Sequence, residues 1–167
     1  ALIIAKNPAV VPILVRLIGE KQIKRIYLAW VKGTFKKVSG TINYPIGLNP
    51  NDQRKRMING PHAKRAVTEY HVIKTKNDNS LVKIQLKTGR THQIRVHMTS
   101  VNHPVIGDPL YNPSTEPFTR MRLHSWKIKL IRPFYMQVKW VTAPTTENPK
   151  LIWHLIIFIL YLNWKLF

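Results

Sequence analysis

Apolar and polar positions along this chain change in short blocks, most of them with the two-residue period of a strand. Val82, Ile84 and Leu86 fall on one side and Lys83 and Gln85 on the other, which predicts a half-buried strand over residues 81–86. Residues 66–73 read as a second strand, and the cluster Asn77-Asp78-Asn79-Ser80 between them supplies the turn of a hairpin. The run Ile26-Tyr27-Leu28-Ala29-Trp30-Val31, bounded by Gly33, predicts another strand. Two more are predicted near residues 122–130 and 136–142, and the short apolar run 1–5 suits a buried strand. Residues 39–61 are rich in Pro and Asn and predict irregular structure. Helical spacing occurs twice. Residues 9–20 suit a helix that holds Pro12 in its first turn. Ile94, Met98 and Val101 mark a second helix that Asn102 and Pro104 stop. The expected class is α+β, with a mixed, mostly antiparallel sheet and a few packed helices.

The end of the chain has a different pattern. Residues 151–162 are apolar on every helical face except at His154, but roughly 12 residues fall short of the roughly 20 that span a bilayer. A terminal helix packed on the core is expected, with an altered C-terminus or membrane contact as alternatives.

Composition narrows the partners. Lys and Arg number 27 against 7 acidic residues, a formal charge of +20 in 167 residues. That excess favours a nucleic acid or an anionic membrane surface. Apolar residues are interleaved throughout, which argues against a disordered basic tail. The chain has no cysteine, which excludes disulfides and thiol chemistry and suits a cytoplasmic protein. A monomer is expected.

Candidate chemistry concentrates in residues 86–97, where Thr88-Gly89-Arg90-Thr91-His92-Gln93 joins a strand to a helix. Gly89 is expected to allow the turn. The helix start then offers free N–H groups to an anion, and Arg90 presents a bidentate fork at its mouth. His92, Gln93, Arg95 and His97 can add donors; an ordinary strand–helix joint with solvated charges is the alternative. Tyr27, preceded by Lys24 and Arg25, could stack on a base while the cations hold phosphates, or serve the core. Arg54, Lys55 and Arg56, with Lys64 and Arg65, read as phosphate contacts. Seven histidines raise the question of a metal, but His92 and His97 lack the spacing of a zinc helix and no cysteine is available. No metal is expected.

These segments resemble, in order, the signature of the RluA-type family of RNA pseudouridine synthases. The anchors are Ala5-Lys6-Asn7-Pro8, Lys24-Arg25-Ile26-Tyr27-Leu28-Ala29, Gly40-Thr41-Ile42 with Pro45-Ile46, and Lys64-Arg65-Ala66-Val67-Thr68-Glu69-Tyr70. Thr88-Gly89-Arg90-Thr91-His92-Gln93-Ile94-Arg95-Val96-His97, Gly107-Asp108-Pro109-Leu110-Tyr111 and Leu123-His124-Ser125-Trp126 complete the set. The resemblance implies isomerisation of uridine to pseudouridine in ribosomal or transfer RNA, without cofactor or metal. It implies Arg90 as the partner of a catalytic aspartate, with Arg95 as second candidate, and Tyr27 as the ring that stacks on the uracil. Ile94 and Val96 would give apolar support beside the flipped base. Residues 1–145 then correspond to the C-terminal part of a catalytic domain, and residues 146–167 to an apolar tail. The family's Arg-Leu-Asp motif is not in the sequence, and Asp52, Asp78 and Asp108 are its only aspartates. Asp108 lies in a segment whose family role looks structural. The isolated chain is therefore expected to be inactive, as a piece of a synthase or alternatively as a non-catalytic RNA-binding remnant. Membrane-surface association through the basic faces and the tail is a weaker third reading.

Overall fold

In the computed structural model, residues 3–5, 7–113, 120–131, 138–143 and 145 are described. They fall into two compact units: residues 26–124, and residues 1–25 with 125–167.

The first unit is built on β1 (Lys24–Lys32, of which all but the first two residues lie here), β2 (Ser39–Ile42), β5 (Thr68–Lys76) and β6 (Asn79–Leu86). These strands lie in the order β2-β5-β6-β1, each antiparallel to its neighbour. Asn77 and Asp78 join β5 to β6 with positive φ at both, 50° and 52°. Paired left-handed residues are the geometry of a tight hairpin whose twist matches its strands, and Asn and Asp tolerate it. Ile84 stands opposite both Tyr27 and Tyr70, and Val82 opposite both Ala29 and Val72. Alternation therefore gathers these side chains on one face. There they join Val31, Ile42 and Val105, and helix α2 (Gln93–Ser100) lays Ile94 and Met98 onto them. Ile73 is skipped between Val72 and Lys74, a bulge that turns Lys74 to the opposite face with Leu81 and Trp30.

A small second sheet pairs β3 (Ile46–Leu48) with β4 (Arg56–Ile58). Ile46 packs there with Ala66 and Val96, flanked by Ile58 and Tyr111. The backbone crosses itself at this point: a Cβ on Gly47 would stand 2.3 Å from the Gly60 carbonyl oxygen.

The second unit holds α1 (Val11–Gly19), preceded by a 3-10 turn at Pro8–Val10 in which Asn7 Oδ1 accepts from the Ala9 N–H at 2.9 Å. Leu17, Ile23 and Ile128 form its core, with Ile3, Ile13 and Leu14 against them. A hairpin of β7 (Leu123–Ile131) and β8 (Val138–Thr142) completes it.

The α+β class is as expected, with an antiparallel sheet and two α-helices among the described residues. Two expectations fail. Residues 3–5 belong to no ladder; Ile3 reaches the α1 core while Ile4 is exposed. Residues 39–61 are not irregular throughout but contain β2, β3 and β4. The apolar segment 151–162 lies outside the described residues. Among the described residues, no helix is long and apolar enough to cross a membrane.

Candidate active site

The loop between β6 and α2 is held from beneath by Gln93. This side chain is 2% exposed, and both ends of its amide are occupied. Its Oε1 accepts from the Thr88 hydroxyl at 2.8 Å and the Arg90 N–H at 2.9 Å. Its Nε2 donates to the Val67 carbonyl at 3.0 Å and to Thr68 Oγ1 at 2.9 Å. Thr88 Oγ1 in turn accepts the Val67 N–H at 2.8 Å, so the loop is tied to the start of β5 on both sides. One residue closes the turn, and its four hydrogen bonds exhaust its capacity.

The network continues inward. His97 is 0% exposed, with Nε2 2.9 Å from the Tyr44 carbonyl oxygen and Nδ1 2.8 Å from Thr68 Oγ1. A carbonyl can only accept, so Nε2 carries the proton and Nδ1 accepts from the Thr68 hydroxyl. The chain Gln93 to Thr68 to His97 to Tyr44 is then fully satisfied with a neutral imidazole. Burial pushes the His97 ring below its ordinary value, against the opposing pull of the Tyr44 carbonyl.

Beside it lies a second buried cluster. Arg95 Nε and Nη2 meet the Asp108 carboxylate, each at 2.7 Å, with Asp108 0% exposed. Asp108 Oδ1 also accepts the N–H groups of Leu110 and Tyr111. Burial works to raise the Asp108 carboxyl, but the Arg95 guanidinium and these N–H donors overcome it and hold it below the ordinary range. The guanidinium also lies over the Tyr111 ring, 4.9 Å from its centroid. The Tyr111 hydroxyl accepts the Arg56 N–H at 2.7 Å and stands 3.0 Å from His92 Nδ1. Burial first, then the positive charges of Arg95 and Arg56, push the His92 ring below its ordinary value. His92 takes the left-handed conformation here (φ 56°), a role expected of Gly89, and no side-chain cap covers the helix start that follows it.

Above these networks stands Arg90. Its backbone is fixed by Gln93, while its side chain is exposed and touches the protein through Nε, which donates to the Arg65 carbonyl at 3.1 Å. Among the described residues it forms no ion pair. The exposed side chains of Lys64 and Arg65 lie beside this contact in sequence and form no ion pair among the described residues either. Tyr27 is half-buried on the same sheet face that α2 covers.

The structure thus separates the expected site residues into groups. Arg90 meets the backbone of Arg65, and the side chains of Arg90, Arg65 and Lys64 are all exposed. Gln93 and His97 are corrected: their polar atoms are buried and internally paired, so they build the loop and are not surface donors to RNA. Arg95 is likewise committed to Asp108, which leaves Arg90 as the free guanidinium of the pair. Arg54 is paired with Asp52 at 3.0 Å, and Arg56 Nη1 donates to the carbonyls of Gln53 and Lys55. Lys55 is half-buried, with no ion pair among the described residues. Lys24 is exposed and Arg25 half-buried at the start of β1, and both are described with the second unit alone. Sequence reasoning missed Thr68, Thr88 and Tyr111 as parts of the site. No cluster of three or more metal-ligating side chains occurs among the described residues.

Comparison with known proteins bears on this arrangement. Residues 1–100 match the family model described as RNA pseudouridylate synthase. An uncharacterized RNA pseudouridine synthase of Bacillus subtilis (strain 168), YhcT, is 36% identical over 152 residues, covering 90% of this chain and 50% of the relative. Ribosomal large subunit pseudouridine synthase D of Nitrosomonas europaea is 36% identical over 156 residues, covering 88% of this chain and 45% of the relative. The solved structure of human RNA pseudouridylate synthase domain containing 1 superposes with a TM-score of 0.75 at 30% identity, covering 88% of this chain and 64% of that one. The chain spans about half the length of the curated relatives it matches.

Proposed function

Because this chain belongs to the RNA pseudouridylate synthase family, of the RluA type, we propose that it forms part of an enzyme that isomerises uridine to pseudouridine in RNA. Ribosomal RNA is the favoured substrate, because relatives named ribosomal large subunit pseudouridine synthase D share its sequence at 36% identity. The reaction breaks the bond between uracil and ribose, turns the ring, and rejoins it through carbon, with no atom gained or lost. It needs an extruded nucleotide, a ring to stack on it, and a carboxylate whose position and charge are held.

The observation that carries the reading is Arg90. Its backbone is locked to a buried amide while its guanidinium stays exposed and without a carboxylate among the described residues. Such a group is ready to bind a carboxylate or a phosphate bidentately. Tyr27 is proposed as the stacking ring, with Lys64 and Arg65 as backbone contacts that position RNA without reading it. The chain's own aspartates are engaged elsewhere: Asp52 with Arg54, Asp108 with Arg95, and Asp78 with the Thr34 hydroxyl. The reacting carboxylate is therefore proposed to come from residues outside these 167.

The test is Arg90→Ala in the complete synthase, read as carbodiimide-dependent primer-extension stops on ribosomal RNA, with RNA affinity measured in parallel. Loss of product with affinity retained is expected. Unchanged turnover would remove Arg90 from the site.

A further inference from the structure

An open cavity lies on the opposite face of the sheet. Trp30 alternates with Ala29 and Val31, whose side chains enter the core beneath α2, so its indole points away from them. There it lines this cavity of about 340 Å³ together with Lys76, Asn77, Asn79, Ile106 and Arg122. The lining carries two cations, two amides and an aromatic ring, and no carboxylate. Lys74 adds a third positive charge, with Nζ 5.6 Å from the Trp30 ring centroid. Among the described residues neither Lys76 nor Arg122 forms an ion pair.

The cavity is also rigidly framed. Ile106 N–H donates to the Trp30 carbonyl at 2.9 Å, Arg122 N–H to the Ile106 carbonyl at 2.8 Å, and Trp30 N–H to the Arg122 carbonyl at 3.0 Å. This closed ring of three backbone bonds fixes three of the lining residues against one another. Asn77 and Asn79 are set by the tight hairpin turn and by the bond from Asn79 Nδ2 to the Asn77 carbonyl at 2.9 Å. That bond leaves Asn79 Oδ1 as an acceptor.

We propose that this cavity is a binding subsite for one unstacked nucleotide of single-stranded RNA, remote from the Arg90 site. A base stacks on Trp30, Arg122 and Lys76 take the flanking phosphates, and the amides of Asn77 and Asn79 meet the base edge without fixing its identity. The two sites stand at opposite ends of β6, whose eight residues span roughly 25 Å. An RNA that places one nucleotide at Arg90 must follow the surface around the sheet to reach the other. The inference rests on the reading of the protein as an RNA-modifying enzyme, and it adds where the substrate is held outside the reacting centre.

The test is fluorescence anisotropy of the 167-residue chain with a labelled single-stranded oligouridine across a salt series, and with a duplex of the same length. Trp30→Leu is expected to weaken single-strand binding about tenfold, to leave the salt slope unchanged, and to leave duplex binding unchanged. Trp30→Phe should recover most of the loss. Arg122→Gln, at an exposed position that does not endanger folding, should lower the salt slope by about 0.7. If the chain binds the single strand but Trp30→Phe and Arg122→Gln titrate with unaltered affinity and slope, and Trp30→Leu loses nothing, the subsite is refuted while the RNA reading stands. If the unaltered chain binds neither RNA, the subsite is refuted, while the reading of the enzyme is decided separately by Arg90→Ala in the complete synthase.

Discussion

Replacing Gln93 by Ala separates two accounts of the signature loop. As a surface donor to RNA, Gln93 could be truncated without effect on stability. In the structure its amide makes four hydrogen bonds, and their loss is not uniform. The Arg90 N–H can turn to water because the loop is exposed. The Val67 carbonyl keeps the Lys87 N–H at 3.1 Å, and Thr68 Oγ1 keeps its bond to His97. The Thr88 hydroxyl loses an acceptor, and a cavity of amide size opens under α2. Counting one or two buried groups left short at about 1–3 kcal/mol each, the expected cost is about 2–4 kcal/mol. The assay is urea denaturation of the chain followed by far-ultraviolet circular dichroism, with equal slopes required so that the midpoint shift reports stability. Gln93→Glu sharpens the test, since its second carboxylate oxygen would face the Val67 carbonyl and Thr68 Oγ1 and accept where a donor is needed. It should be at least as destabilising as Ala. A loss below about 0.5 kcal/mol, the range of ordinary surface substitutions, for either variant would refute the role of Gln93 as the clamp of this loop.

Three further outcomes follow from the same geometry. Asp108→Asn leaves the half-buried Arg95 guanidinium without its counter-charge and should cost about 3 kcal/mol, the low end for a buried pair, by denaturant titration. Because the folded state holds Asp108 below its ordinary 3.8, its contribution is present above that value and fades as pH falls through the lower folded one, so the variant should also lose stability less steeply in strong acid. His97 is held neutral in the fold, below its ordinary 6.5. The unfolded chain therefore binds the proton first, and stability should fall as pH drops below about 6.5, less steeply in His97→Gln than in the parent; equal slopes would refute the neutral tautomer. Gly47→Ala would drive a Cβ into the Gly60 and Pro61 carbonyl oxygens, at 2.3 and 2.5 Å. Those are backbone atoms with no rotamer to yield, so a loss of about 2 kcal/mol or more is expected, and a stable variant would place the β3–β4 crossing elsewhere.

The hairpin of β5 and β6 was legible because its strands are long enough to display alternation and its turn residues accept positive φ. The strands β2, β3 and β4 were not, since three or four residues give at most two periods of a pattern. The signature helix shows a different limit. Apolar spacing alone selects Ile94, Met98 and Val101, and leaves Gln93 and His97 to be read as solvent-facing donors. On a helix, however, positions 93, 94, 97, 98 and 101 form a single stripe. Gln93 and His97 sit one turn apart on the flank of that stripe, beside Ile94 and Met98, and their burial follows from the helical period once polar residues are allowed a place in it. Arg95 was open to either reading, because nothing in local spacing reveals that Asp108 reaches it from the following loop.

The division of labour among these polar groups bears on the role proposed for Arg90 in a chain of formal charge +20. A guanidinium that must hold a carboxylate in place has to be fixed, yet fixing it with a carboxylate of its own would neutralise it in advance. The structure meets both demands by using neutral partners beneath Arg90. The Gln93 amide takes its backbone N–H, the Arg65 carbonyl takes its Nε, and the Thr68–His97 relay supporting Gln93 is itself uncharged. Each bond constrains position without cancelling charge. Arg95, two helical residues from the clamp, shows the contrast: enclosed by Asp108, it has spent its fork on the fold. Exchanging the two fates, by giving Arg90 a carboxylate neighbour, would leave the loop ordered and the Arg90 guanidinium already neutralised, which is why the neutral network matters more to the proposed chemistry than the number of basic residues around it.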